Sequence, residues 1–560
     1  MRVTRIDFIY RLSSVSIHEV SIFGKFYNIL EVQRRKRYTF DISYLNNMHG
    51  SKKPSPVVLI VLDGWGHREE KEHNGIAQAR TPFLDSLYAK YPHTLLDASG
   101  QALGLPVGQA GTSEIGHLTI GAGTVIDTDL VRITKAMQEG EFETNQTFKT
   151  LFDHVVSHDS TLHILGLVSP GGIHSHSSHI EGVLRAAKNA GVKKIAIHAF
   201  TDGRDTPPQS GKKYLQELES LLEDLEIGFI ASVTGRFYAM DRDHNWHRIS
   251  KAEDAIFRAA SKQTHRAKPS EVIDALYRQG HVDEHIEPIV FMDEAAKTYP
   301  VEKNDSAIFI NFRSDRARML SRRFIDCEKE MNLCFATMTE YEKNGASLVA
   351  FRGIGVGTTL AAEISQAGLR QVHIAESEKY AHATYFLNGG REEPHEGESH
   401  ILVESRKDIR THDEAPQMKA TEITDNALEH FQAGADFIFI NYANADMVAH
   451  TANFSATLTA VECIDSELQR LVPQVLKAGG VVCITADHGN AEVGVDPSSG
   501  ILHTAHTTNQ VPFILTLEGR SLRSGQGLID VAPTLLEIMG LAVPLSMTGE
   551  SLVIHTRPKV

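Results

Sequence analysis

From Val57 onward the chain repeats one pattern: a short apolar run, a loop of polar and glycine residues, then a helical stretch. The apolar runs span 57–62, 162–168, 194–200, 228–233, 307–312, 436–441, 481–485 and 511–515; the clearest helical stretches span 212–225 and 457–477. Apolar runs this short, bounded by turn residues and alternating with helices, predict an α/β fold with mainly parallel sheets. Ligands of such sheets gather beyond the carboxyl ends of the strands. The residues directly after each run are therefore the ones to weigh. A length of 560 residues predicts more than one domain. The glycine strings Gly121-Ala122-Gly123 and Gly353-Ile354-Gly355-Val356-Gly357 are candidate hinges on either side of a middle block.

The net charge of −15 argues against general nucleic-acid binding but leaves room for a local cationic pocket. Four cysteines without metal-type spacing read as reduced thiols of a cytoplasmic protein. No apolar run is long enough to span a membrane. Residues 1–47 differ from the rest. They are basic and aromatic, with an Arg34-Arg35-Lys36-Arg37 cluster, and resemble neither a secretory signal nor a transit peptide. Met48 is the expected natural start, and residues 1–47 are expected to be a non-native or dispensable extension.

Several strand ends carry metal-ligand chemistry. The first run ends in Asp63-Gly64-Trp65-Gly66, the sixth leads to Asp446 and His450, the seventh to Asp487-His488-Gly489-Asn490, and His506 follows. Carboxylate and imidazole suit Mn²⁺ or Zn²⁺. Asp446 and His450, four residues apart, share one face of a helical turn. Singly, each has a simpler role as a turn, cap or surface residue; together they can enclose two ions. The string Gly111-Thr112-Ser113-Glu114-Ile115-Gly116-His117 reads as a loop entering a helix, with Ser113 in the first turn, where unpaired backbone N–H groups attract anions. The middle block adds Arg204, Arg236, Arg242, Arg313 and Arg316 in loops. Guanidinium forks suit a small substrate bearing carboxylate and phosphate. Lys379 reads on pattern alone as an ordinary exposed helix residue.

These strings together resemble the alkaline phosphatase superfamily and, more closely, the cofactor-independent phosphoglycerate mutases. The matching strings are Val-Leu-Asp-Gly-Trp-Gly (61–66), Thr-Ser-Glu-Ile-Gly-His (112–117), Gly-Gly-Ile-His-Ser-His (171–176), Asp-Gly-Arg-Asp-Thr-Pro-Pro (202–208) and Thr-Ala-Asp-His-Gly-Asn (485–490). The family more often has Asn at Thr112 and Pro at Ala445, neither a ligand position.

The resemblance implies interconversion of 3-phosphoglycerate and 2-phosphoglycerate through phosphoserine, without 2,3-bisphosphoglycerate. It implies two Mn²⁺ ions, or other divalent metals: one on Asp446, His450 and His506, the other on Asp63, Ser113, Asp487 and His488. It assigns substrate binding to His174, Arg204, Asp205, Arg236, Arg242, Arg313, Arg316 and Lys379, with Ser113 as nucleophile, Asp205 as general acid–base and Lys379 beside the phosphoryl group. The expected layout is a phosphatase-like domain split over 52–127 and 354–560, with a substrate domain inserted at 128–353. A cytoplasmic monomer is expected. The alternative is another enzyme of the superfamily, a phosphopentomutase or a metal-dependent phosphatase.

Overall fold

The computed structural model describes residues 56–343, 345–353 and 355–554, so the reading of residues 1–47 lies outside the described residues. Among the described residues the strands, in chain order, are β1 (Val57–Leu62), β2 (His93–Asp97), β3 (Leu162–Leu167), β4 (Ile195–Thr201), β5 (Phe229–Gly235), β6 (Gln263–His265), β7 (Ile289–Phe291), β8 (Ser306–Phe309), β9 (Cys334–Thr339), β10 (Leu348–Phe351), β11 (Gln371–Glu376), β12 (Glu398–Val403), β13 (Phe437–Tyr442), β14 (Val481–Thr485), β15 (Val511–Leu515), β16 (Ser521–Leu522), β17 (Gln526–Gly527) and β18 (Val553–Ile554). They build two eight-stranded sheets, ordered β12-β11-β13-β1-β14-β15-β2-β17 and β10-β9-β8-β3-β4-β5-β7-β6, while β16 pairs with β18 alone.

Strand β1 shows why the first sheet forms as it does. All six residues of Val-Val-Leu-Ile-Val-Leu are buried, and the strand lies parallel between β13 and β14. A run apolar on both faces is stable only where helices cover both faces, and each fully buried Val or Leu contributes about 1.5–3 kcal/mol. The long helix Phe454–Lys477 supplies part of that cover through Val461, Ile464, Leu468 and Leu471. In the second sheet β3, β4 and β5 run parallel, with β8 on the other side of β3. Antiparallel pairing is confined to β14 with β15, β15 with β2, and β5 with β7 within these two sheets. The α/β class with mainly parallel sheets is thus as expected.

The first glycine string departs from its reading as a hinge. Gly121 lies inside the helix Ser113–Ala122, where a Cβ would sit 1.9 Å from the Leu387 carbonyl oxygen. It is a close-packing residue. Only Gly123 leaves the helix, in the left-handed conformation at its end. Among the described residues, no helix is long and apolar enough to cross a membrane.

Candidate active site

The carboxyl ends of β1, β13 and β14 converge. Asp63 directly follows β1, Asn441 is the penultimate residue of β13, and Asp487 lies two residues past β14. Gly64 turns the chain after Asp63 with φ +72°, and a Cβ there would come within 2.7 Å of the Asp446 side chain. Only glycine permits both the turn and this approach. Asp446 and His450 sit on the short helix Asn444–Ala449 and its cap, and the spacing does place both on one face: His450 Nε2 lies 3.2 Å from Asp446 Oδ1. His506 Nε2 is 3.4 Å from the same oxygen and 3.2 Å from His450 Nε2.

Ser113 is the first residue of the helix Ser113–Ala122 and is 4% exposed. Its hydroxyl lies 2.9 Å from His488 Nε2 and 3.3 Å from Asp63 Oδ1. His488 Nε2 is in turn 3.4 Å from Asp487 Oδ2 and 3.6 Å from Asp63 Oδ1. The His488 and His506 rings stack with centroids 3.8 Å apart, so the seven residues read as metal ligands form one connected cluster. His117 joins them: Nδ1 lies 2.9 Å from the Ser113 carbonyl and 3.3 Å from Asp487 Oδ2, and Nε2 is 3.0 Å from Asn441 Nδ2. Asn441 also donates to Asp63 Oδ2 at 2.8 Å.

Lys379 corrects the pattern-based reading. It lies in a tight turn after β11, is 3% exposed, and donates to Asp63 Oδ1 and Asp446 Oδ2 at 2.6 Å and to Ser113 Oγ at 2.7 Å. A single lysine between polar neighbours carries no sequence sign of burial, because its partners come from distant loops.

The electrostatics favour cations. Asp63, Asp446 and Asp487 are all buried, and Lys379 is the one lysine or arginine paired with them among the described residues. Burial, then the charge of Asp487, pushes the Asp63 carboxyl up. Against burial, Lys379 and the hydrogen bond from His450 hold Asp446 well below the usual carboxylate range, and His488 with His117 holds Asp487 low. Asp63 and Asp446, in turn, overcome burial to raise Lys379. Asp487 Oδ2, Asn441 Oδ1 and Asn490 Oδ1 are buried without a hydrogen-bond partner. Buried carboxylates in excess of fixed positive charge, with unpartnered oxygens beside imidazoles, fit divalent ions. The triads Asp446–His450–His506, Asp63–Asp446–His488 and Asp63–His117–Asp487 each bring three such atoms within 4.8 Å of one another.

A second cluster belongs to the loops of the other sheet. Arg236 Nη1 donates to Asp202 Oδ1 at 2.7 Å and Asp205 Oδ2 at 2.6 Å. Asp315 gathers Arg242 at 3.0 Å, Arg313 at 3.1 Å and His174 at 3.7 Å. Arg316 donates to the Met240 carbonyl at 3.2 Å, and Arg204 lies 3.4 Å from Glu284. Burial, then Arg236, lowers the His174 ring to about 4, so it is neutral at ordinary pH. Beside this cluster a cavity of about 550 Å³ is lined by Leu105, Pro106, Gln109, Gly172, Ile173 and Arg313 among others. Among the described residues, no hydrogen bond or ion pair joins the arginine cluster to the Ser113 cluster.

The BPG-independent PGAM N-terminus family model matches residues 133–343. The 2,3-bisphosphoglycerate-independent phosphoglycerate mutase of Shewanella halifaxensis is 43% identical over 507 residues, covering 89% of this chain and 98% of that protein. The enzyme of that name from Clostridium botulinum is 43% identical over 512 residues, covering 90% and 100%. The chain belongs to the 2,3-bisphosphoglycerate-independent phosphoglycerate mutase family. A solved Leishmania mexicana phosphoglycerate mutase, obtained at low cobalt concentration, is 28% identical with a TM-score of 0.60, covering 90% of this chain and 99% of its own.

For a member of this mutase family, sequence reasoning overlooked several supporting residues. His117 stood inside a string already quoted, and Asp202 opened another. Asp202 accepts from Ser169 Oγ at 2.7 Å and from the backbone N–H groups of Arg204 and Asp205, and so shapes the loop that presents both. Asn441 and Asp315 had no motif to mark them.

Proposed function

We propose that this chain is an isomerase that interconverts 3-phosphoglycerate and 2-phosphoglycerate without 2,3-bisphosphoglycerate, by way of a phosphoserine at Ser113. The observation that carries the reading is the buried Ser113 hydroxyl at a helix start, within hydrogen-bond distance of Lys379 and His488. Asp446, His450 and His506, and Asp63, Ser113, Asp487 and His488, would hold two divalent ions, in our reading Mn²⁺, which would supply Lewis acidity that makes the Ser113 hydroxyl easier to deprotonate and offsets phosphate charge.

The chain's own residues do the rest. Arg204, Arg236, Arg242, Arg313, Arg316 and His174 bind the carboxylate and phosphate of the substrate. Ser113 Oγ, having given its proton to solvent, bonds to phosphorus as the bond from phosphorus to the glycerate oxygen breaks. Asp205 gives its proton to that oxygen. Glycerate turns while the arginines keep its carboxylate. Asp205 then takes the proton of the other hydroxyl, whose oxygen bonds to phosphorus and releases Ser113. Lys379 holds charge at the phosphoryl oxygens throughout. Water must be excluded while the phosphoserine exists, or the enzyme becomes a phosphatase.

That need gives a two-domain layout its purpose. We assign residues 52–127 and 354–560 to the domain carrying Ser113 and Lys379, and residues 128–353 to the domain carrying Asp205 and the arginines. Closure of one on the other completes the site. We place the enzyme in the cytoplasm as a monomer without nucleic-acid partners. Incubation with Mn²⁺ and 3-phosphoglycerate, without bisphosphoglycerate, tests the reading. The expected product is 2-phosphoglycerate; free phosphate instead would favour the phosphatase alternative.

A further inference from the structure

Glu492 is fully buried, yet among the described residues no lysine, arginine or histidine pairs with it. Its two oxygens accept four hydrogen bonds. Oε2 takes the backbone N–H of Gly66 at 3.1 Å and of Asn490 at 2.8 Å. Oε1 takes Asn509 Nδ2 at 2.9 Å and the Thr507 hydroxyl. These donors come from three separate segments: the loop holding Asp63, the loop holding Asp487 and His488, and the segment holding His506. A fourth is reached through Asn490, whose Nδ2 donates to Asp446 Oδ1 at 2.7 Å. The approach is close. A Cβ on Gly66 would lie 2.3 Å from Glu492 Cδ, and one on Gly489 would lie 2.6 Å from Glu492 Oε1.

We propose that Glu492 is a positioning residue that sets the spacing of the loops forming both cation sites, without itself holding a cation. This rests on the two-ion reading of the site. Each carboxylate oxygen already accepts two hydrogen bonds, which leaves little lone-pair capacity for a metal. All four partners are donors, so the position needs four acceptor sites. A carboxylate offers them; an amide turns an NH₂ toward two donors. Such outer partners typically change metal affinity by about 10–100-fold when removed.

The test uses the full chain and Mn²⁺ titrated by calorimetry well below the melting temperature, with metal-free melting and steady-state kinetics alongside. Glu492→Gln disturbs half of the clamp, and Thr507→Val removes a single donor with little change of shape. We expect two Mn²⁺ per wild-type chain. Both variants should bind Mn²⁺ about tenfold or more weakly, with Thr507→Val affecting mainly the ion on His450 and His506. Their kcat should recover at saturating Mn²⁺ with KM for 3-phosphoglycerate little changed. Lower melting temperatures with unchanged Mn²⁺ affinity would reduce Glu492 to a structural role and overturn the proposal. Should Glu492→Gln not fold, Thr507→Val decides alone. A wild-type chain that binds no Mn²⁺ would instead refute the two-ion reading, and this proposal with it.

Discussion

Ser113 and Lys379 show what one side chain contributes when buried at the meeting point of distant loops. Ser113→Ala removes the only proposed phosphate carrier while deleting one oxygen from a buried position. Mutase turnover should fall by about 10⁴-fold or more with the circular dichroism unchanged; retained turnover would rule out the phosphoserine route. Lys379 neutralises two buried carboxylates. Lys379→Met leaves them uncompensated, which costs about 3–5 kcal/mol in comparable buried pairs. Denaturant unfolding of the metal-free protein should show that loss, and added Mn²⁺ should restore more stability to the variant than it adds to the wild type. Arg236 is the counterpart in the second cluster. Its Nη1 bridges Asp202 and Asp205, so Arg236→Ala should both raise KM and misplace Asp205. A drop of about 10²–10³-fold in kcat/KM is expected in assays with 3-phosphoglycerate.

At the scale of elements, the strands that deliver the site were the legible ones. β1, β14 and β15 occupy the residues their apolar runs predicted, and β13 is displaced by one residue. Strands β11 and β12 were not foreseen, because Gln371, His373, Glu398 and His400 break the apolar pattern with side chains that satisfy one another in the fold. Glu398 accepts from His400 Nε2 at 2.7 Å and Asn388 Nδ2 at 2.8 Å. Such pairing between strands is invisible in a linear sequence. The same limit hid the burial of Lys379 and the roles of Asn441, Asp315 and Glu492. The metal-ligand candidates were legible because parallel strands deliver their next residues to one edge, and Asp63, Asp446 and Asp487 all follow that rule.

The whole molecule buries histidines as well as carboxylates, and that sets its response to acid. His174, His179 and His373 are buried, and burial is the main cause holding their rings at about 4, about 3 and about 4, below the ordinary 6.5. A folded-state value below the unfolded one means that the unfolded chain takes up protons first. The stability these rings contribute is fully present above pH 6.5 and is lost as the pH falls from there through their folded-state values. Each ring adds a slope of up to about 1.4 kcal/mol per pH unit in that window. Urea midpoints should therefore drop between neutral pH and about pH 5; a flat profile would mean that these rings titrate normally. The proposed function rests on loops of the first sheet, far apart in sequence, placing two cations beside one serine. Anomalous diffraction from crystals grown with Mn²⁺ tests it most directly. Two peaks are predicted, one among Asp446, His450 and His506 and one among Asp63, Ser113, Asp487 and His488; a map with no peak at either place would contradict the account.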